Sequence, residues 1–376
     1  MSTFVVHFTR FPNEGDLWKR VFIEMATKII GVGNYIPTQT ITNVFFDSYL
    51  FLDERGNILK QDNSTIANKL KEITGIEERR YAEKEQNTSD LGFLAAKEAI
   101  ENAKIDPNTL DYIIFAHNFG DVAFGTIQSD MLPSLAARVK HKLGIENSSC
   151  VAYDLIFGCP GWVEGMIHAN AFIKAGIAKR CLVIGAETLS RVVDIHDRDT
   201  MIYADGAGAA VIEFSDDNAG LKSHLSASFT AKEKDYLFFG KSYNTDSCPS
   251  VRYIKMNGRK IYEFALSNVP QAMKECFDKS GFSIEQLKKI IIHQANEKMD
   301  EAIVNRFYQL YNLHAPENVM PMVIHKLGNN SVATIPSLLA MIMKGELDEH
   351  RINKGDVVLF ASVGAGMNIN AFVYQF

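Results

Sequence analysis

Three polar residues set in otherwise apolar segments are the ones in this 376-residue chain whose types and spacing could do chemistry: Cys159, His293 and Asn329. Cys159 ends the run Asp154-Leu-Ile-Phe-Gly and stands directly before Pro160-Gly-Trp162. Proline is favoured at the first position of a helix, where its missing N–H costs nothing, and Val163 to Ile177 continue with helical character. The sulfur is therefore expected to face unpaired backbone N–H groups and the positive end of a helix dipole. Such surroundings stabilise thiolate and bring a cysteine from about 8.5 into roughly the 3.5 to 7.5 range. A buried, inert cysteine is the competing reading. The order strand, glycine, Cys-Pro, helix argues against it.

His293 ends the apolar run Ile290-Ile-Ile292, and a polar helix start follows through Gln294-Ala-Asn296. Asn329 lies in Lys326-Leu-Gly-Asn-Asn-Ser331, just before Val332 to Ile342 resumes as a helix with Pro336 near its first turn. Each residue alone reads as a turn or cap. Joined to an accessible thiol, they match a nucleophile with two groups able to hold or move charge. The order Cys, His, Asn admits a papain-like cysteine hydrolase, whose histidine also lies roughly 130 to 150 residues beyond the nucleophile; the surroundings typical of that nucleophile are absent. It equally admits a thioester-processing enzyme.

The elements that must position these residues come in two copies. A shift of 177 residues lays Lys97 to Ile114 over Lys274 to Ile291 without a gap, each reading as an amphipathic helix, a polar turn and a short apolar strand. A second echo sets Cys181-Leu-Val-Ile-Gly-Ala and Gly206-Ala-Gly208 against Asp356-Val-Val-Leu-Phe-Ala and Gly364-Ala-Gly366. Two matches in one order point to duplication. The expected halves are residues 25–220, carrying the cysteine, and 221–376, carrying the histidine and asparagine. Residues 1–24 read as an N-terminal extension, because Met25-Ala-Thr-Lys looks like a fresh beginning.

Alternating strands and helices predict an α/β protein with mostly parallel sheets covered on both faces. Sites in such folds gather at the carboxyl ends of strands, where both Cys159 and His293 fall. The glycines of Asp205-Gly-Ala-Gly-Ala-Ala lead into a strand and lack the third glycine of a dinucleotide loop, so they read as points of close approach.

Composition narrows the classes further. With 47% hydrophobic and 22% charged residues the chain is an ordinary globular protein with ample core. A net charge of -6 without a basic block argues against nucleic acid. Five cysteines without CxxC spacing argue against a disulfide framework and for a reducing cytoplasm. No compact His/Cys cluster suggests a metal site, and no run of about 18 apolar residues suggests a membrane span.

From Met25 to Phe376 the chain resembles β-ketoacyl-acyl-carrier-protein synthase III and its relatives. The resemblance rests on Thr74-Gly-Ile-Glu-Glu-Arg79-Arg80, Asp154 to Trp162, Tyr203-Ala-Asp-Gly-Ala-Gly-Ala-Ala, His293-Gln-Ala-Asn296 and Gly328-Asn-Asn-Ser331. It implies the thiolase fold, five layers in the order α-β-α-β-α built from two duplicated halves, and a homodimer. It also implies Cys159, His293 and Asn329 as catalytic residues, with no metal or organic cofactor. The substrates implied are an acyl thioester and a malonyl or β-ketoacyl thioester, with acyl carrier protein as partner. Backbone N–H groups of Cys159 and Gly366 would hold the oxyanion. Trp162 would line the acyl pocket or pack behind the helix, and Met131 or Leu132 would reach into the partner's acyl tunnel.

Departures from the family pattern bear on substrate. CoA-using members place a tryptophan and an arginine where this chain has Lys69 and Ile73, and an insertion around Phe51 to Asn63 precedes them. Arg191 matches a second arginine of the thioester-arm site but lacks its stacking partner. A carrier-protein donor is therefore expected over CoA, with Lys298, extended by Lys288 and Lys289, as the docking patch. The glycine-rich stretch Ser362 to Met367 lacks the second cysteine of thiolases, and Asn329 stands where elongating synthases use a second histidine. No convincing glutamate matches the base of hydroxymethylglutaryl-CoA synthases, although Glu83, Glu85 and Glu98 are available. A ketosynthase of dialkylresorcinol type, an acyltransferase to oxygen or nitrogen, and a catalytically idle partner subunit stay open as alternatives.

Overall fold

The apolar runs form two sheets. Strands β1 (Ala26–Tyr35), β4 (Tyr112–His117), β5 (Val151–Ile156), β6 (Arg180–Thr188) and β7 (Asp205–Ser215) make one, in the order β1-β7-β6-β4-β5. Strands β8 (Gly220–Ser228), β11 (Leu287–Ile292), β12 (Val357–Gly364) and β13 (Asn368–Gln375) make the other, in the order β8-β13-β12-β11. Two short antiparallel pairs lie outside them: β2 (Gln39–Thr42) with β3 (Glu78–Tyr81), and β9 (Leu237–Gly240) with β10 (Tyr253–Met256). The computed structural model describes residues 26–216 and 219–376. The extension over residues 1–24, Met25 and part of the joint at 216–220 lie outside the described residues.

The second sheet repeats the first. In both, two antiparallel pairings are followed by a parallel one, β1/β7, β7/β6, β6/β4 against β8/β13, β13/β12, β12/β11. Where the first sheet adds β5, the second has a single backbone bond from Ile290 N–H to Val319 O, 2.9 Å. The short 3-10 turns Pro107–Thr109 and Ile284–Gln286, which feed β4 and β11, are related by the same 177-residue shift read in the sequence. The sheets are mixed, not mostly parallel as expected. No crossover helix separates β6 from β7 or β12 from β13, and without one consecutive neighbours run antiparallel.

Among the described residues eight helices complete the layers: α1 (Asn63–Thr74), α2 (Thr88–Ala103), α3 (Leu135–Lys142), α4 (Gly161–Lys174), α5 (Gly258–Lys279), α6 (Glu297–Gln309), the one-turn α7 (Ile324–Leu327) and α8 (Thr334–Met343). Alternation along β4 sends Ile114 and Ala116 to one face and Ile113 and Phe115 to the other. On the inner face Trp162 and Met166 of α4 and Leu338 and Leu339 of α8 share one core with Phe360 and Phe372 of the second sheet. Helices α2 and α3 cover the outer face of the first sheet, and α5 and α6 that of the second. The order is therefore α-β-α-β-α, with α4 and α8 in the middle. Helix α8 is apolar nearly all round, as a helix enclosed between two sheets tends to be, while α4 keeps Glu164 and His168 on one stripe.

Glycine permits the closest approach in this middle layer. Gly185 of β6 and Gly208 of β7 are cross-strand partners. A Cβ on Gly208 would lie 2.5 Å from Ser337 N, and one on Gly185 2.5 Å from Val332 O. These paired glycines let the start of α8 settle onto the first sheet, carrying the Asn329 loop with it. That is the close approach expected of the glycines around position 206.

Candidate active site

Cys159 is delivered by the end of β5. Phe157 N–H donates to His117 O at 3.1 Å, extending the β4/β5 pairing beyond the strand. Pro160 is the N-cap and α4 begins at Gly161, so the helix opens one residue later than expected and closes at Lys174, short of Ile177. The Ser331 hydroxyl donates to the Cys159 Sγ at 3.4 Å.

The expected low-lying thiolate is not what the surroundings produce. Although the sulfur is reached from a cavity, desolvation pushes the Cys159 thiol up to about 11, the Ser331 hydroxyl opposing and the Glu187 carboxylate reinforcing the rise. The charge acting on the thiol is an anion instead of a cation. Its resting form is the neutral thiol.

His293 follows the last residue of β11, and its backbone N–H continues the sheet by donating to Ala361 O at 3.0 Å. Burial pushes the imidazole down to about 4, the Ser331 backbone opposing. Gln294 ties the next loop down, donating to Pro321 O at 2.7 Å and accepting from Val323 N–H at 3.0 Å. Asn296 is the N-cap of α6, its side chain accepting from Met299 N–H at 3.0 Å.

Asn329 is clamped by its backbone, donating to Ile202 O at 3.0 Å and accepting from Ala204 N–H at 2.8 Å. Its Oδ1 accepts from Ser331 N–H at 2.9 Å, which leaves the Nδ2 amide as the donor. Cys159, His293, Asn329 and Ser331 line one cavity of about 70 Å³, together with Asn118, Tyr203 and apolar residues such as Leu189, Ile254 and Met299. A groove of about 960 Å³ adjoins it, with Met256 in both walls. The insertion supplies Leu52, Arg55 and Gln61 to that groove, and α1 supplies Lys69 and Ile73.

Several expected site residues fall elsewhere. Trp162 is 0% exposed, donates from Nε1 to Val183 O at 3.2 Å and packs near the Phe360 and Phe372 rings. It stands behind the helix and does not line the cavity. Gly366 is not among the cavity-lining residues; Gly364, Ala365 and Met367 are. The turn meets Cys159 through Gly364, where a Cβ would lie 2.6 Å from Cys159 N. Met131 and Leu132 are exposed, Leu132 at 90%, and neither lines this chain's own cavity.

Arg191 does not line the groove. Its guanidinium donates to Glu83 O at 2.8 Å and Gln86 O at 3.3 Å and lies 4.7 Å from the centre of the Phe124 ring, so it straps a loop and does have an aromatic partner. The arginines on the groove are Arg55, Arg198 and Arg259. Arg198 follows Arg191 by seven residues, and nothing in the one-dimensional pattern distinguished them.

The lysine patch divides. Lys298 is exposed in the first turn of α6. Lys289 is 5% exposed, with its Nζ donating to Asn318 O. Lys288 and Lys289 also sit at the opposite end of β11 from His293, on the order of 15 Å away at about 3.3 Å per residue. They cannot extend a patch around Lys298. Glu83 and Glu98 are likewise engaged away from the nucleophile, with Thr38 and Gln39 and with Asn34 N–H respectively.

Comparison with known proteins supplies the lineage. The profile of 3-oxoacyl-[acyl-carrier-protein (ACP)] synthase III matches residues 153–228, and that of the family's C-terminal domain matches residues 277–376. A beta-ketoacyl-[acyl-carrier-protein] synthase III of Listeria welshimeri is 33% identical over 353 residues, covering 93% of this chain and 99% of its own. The chain belongs to the 3-oxoacyl-[acyl-carrier-protein] synthase III family. A synthase III of Aquifex aeolicus is 32% identical over 94% of this chain and 100% of its own. Among solved structures, the synthase III of Thermus thermophilus superposes with a TM-score of 0.75 at 30% identity, covering 93% of this chain and 98% of that one. With the family come the thiolase fold, which the five layers display, and the enzyme class, an acyltransferase.

Proposed function

We propose that this protein carries out decarboxylative condensation of an acyl thioester with a malonyl or β-ketoacyl thioester, with Cys159 as nucleophile. The observation that carries the reading is the meeting, in one cavity, of Cys159 from the first sheet's strand end with His293 and Asn329 from the second half. A neutral thiol beside a neutral imidazole sets the first step. As the sulfur attacks the thioester carbonyl, the S–H proton passes to His293 and on to the departing thiol, leaving the acyl group on Cys159. Backbone N–H groups of Cys159 and of the Gly364–Met367 turn are placed to hold the oxyanion. A malonyl thioester in the second position then loses CO₂, the electron pair of the broken C–C bond becoming the enolate, whereas a β-ketoacyl thioester reaches its enolate by giving up an α-proton. The enolate oxygen is held by His293 and the Asn329 Nδ2 amide while the carbanion attacks the acyl-enzyme. Each such donor is worth on the order of 10² to 10³ in rate.

Acyl carrier protein is the favoured donor. Lys69 and Ile73 stand on the groove at the positions of the CoA-gripping pair, the insertion walls one side, and Lys298 is exposed at the start of α6. A homodimer fits the same reading. Among the described residues strand β5 is the edge of its sheet, with Ile156 63% exposed, and Leu132, 90% exposed, lines neither the cavity nor the groove of its own subunit.

Intact-mass measurement after incubation with acyl-CoA or acyl-carrier protein, followed by malonyl-carrier protein, tests this. Acylation of Cys159, faster from the carrier protein, and a β-ketoacyl product are expected. An unmodified protein across a broad acyl panel would sink the enzyme and favour an idle subunit. Faster labelling by acyl-CoA would refute only the donor preference.

A further inference from the structure

Glu187, at the end of β6, is 1% exposed and lines neither cavity nor groove. Its Oε1 accepts from the backbone N–H and from the Nδ2 amide of Asn118, both at 2.5 Å. The same Nδ2, which has two hydrogens, donates to the Ser331 Oγ at 3.1 Å. With its oxygen taken up as acceptor, the Ser331 hydroxyl turns its own proton to the Cys159 sulfur at 3.4 Å. A buried carboxyl thus reaches the sulfur through two hydrogen-bonded side chains, one from each half of the chain. We propose that Glu187 is a positioning residue for the nucleophile: through Asn118 it fixes the Ser331 hydroxyl with its proton on the sulfur, and its charge governs how readily Cys159 ionises.

The other charged groups around Glu187 give this a direction. His117, on β4, accepts from Gly120 N–H at Nδ1, 3.0 Å, so its Nε2 carries the proton facing Asp154 Oδ2 of β5 at 3.1 Å. Burial pushes Glu187 up to about 7, outweighing that histidine and the two Asn118 hydrogen bonds, which favour the carboxylate, and Asp205, at the start of β7, adds to the rise. Raising the pH through neutrality therefore adds an anion near the thiol and disfavours thiolate, although the Ser331 proton continues to favour it. Two opposed influences act through one chain of bonds. Glutamine at position 187 keeps an oxygen for Asn118 and loses the charge.

The inference rests on Cys159 being the nucleophile, but it is tested without turnover, so its failure is distinct from failure of the condensation reading. The rate of iodoacetamide alkylation of the Cys159 peptide is followed by mass spectrometry from pH 6 to 11, which separates it from exposed Cys248. In Glu187→Gln the Cys159 ionisation midpoint is expected to fall, with alkylation at pH 8 roughly threefold faster or more, as loss of a nearby anion requires. An unchanged midpoint in a folded Glu187→Gln protein overturns the proposal. The unaltered protein supplies a second check that needs no variant. Its log rate should rise less steeply than one per pH unit between about pH 6.5 and 7.5, where Glu187 takes up its charge. A slope of one throughout also overturns it.

Discussion

At the scale of single residues, burial decides the chemistry of the cavity. His293 is pushed down to about 4 and Cys159 up to about 11, so the thiol and the imidazole rest as a neutral pair instead of thiolate and imidazolium. The linkage has a definite sign. In the unfolded chain a histidine takes a proton near pH 6.5, whereas native His293 does not until about pH 4. Between those values the unfolded state binds the extra proton, and stability is lost as pH falls. His293→Ala should therefore lose about 2 to 3 kcal/mol less than the unaltered protein between pH 7.5 and pH 4.5. Urea unfolding at the two pH values measures this, and equal losses in both proteins would contradict the buried neutral imidazole.

At the scale of elements, the loops that line the cavity are placed by close contact between backbones. Strands β6 and β7 carry glycine where α8 lands, and the clamp of Asn329 between Ile202 and Ala204 follows from that contact. Gly208→Ala would put a methyl group 2.5 Å from Ser337 N, against backbone that cannot yield cheaply. A loss of about 1 to 3 kcal/mol in unfolding free energy is expected, read by thermal or urea denaturation, with acylation of Cys159 slowed because the α8 loop shifts. Unchanged stability would show that the middle layer is looser than its spacing indicates. The duplication was legible here because helix, turn and strand keep their order and spacing in both copies. The antiparallel sense of β7 was not, because the connection over residues 189–204 is long enough for the chain either to return or to cross over.

At the scale of the whole molecule, one subunit leaves an edge and a loop without cover. Strand β5 ends its sheet with Ile156 exposed, and Leu132 is nearly fully solvated. An apolar residue on an edge strand invites a second copy. Ile156→Lys should shift a dimer toward monomer in light-scattering chromatography by placing a charge on that edge. A monomeric unaltered protein, or a dimer indifferent to the change, would remove β5 from the interface. Among the described residues no helix is long and apolar enough to cross a membrane.

The sequence by itself determined that the chain is a duplicated α/β protein and singled out the three residues that meet in the cavity, because apolar periodicity, glycine placement and strand ends are local properties that survive in one dimension, while the five layers were implied by the family resemblance. Only the tertiary structure decided their electrostatics and their neighbours. It turned the expected thiolate into a thiol, set Trp162 behind its helix, buried Lys289, gave the groove to Arg198 instead of Arg191 and connected Glu187 to the sulfur. Each of those outcomes depends on desolvation and on contacts between residues far apart in the chain. Neither is encoded in the spacing of residue types along it.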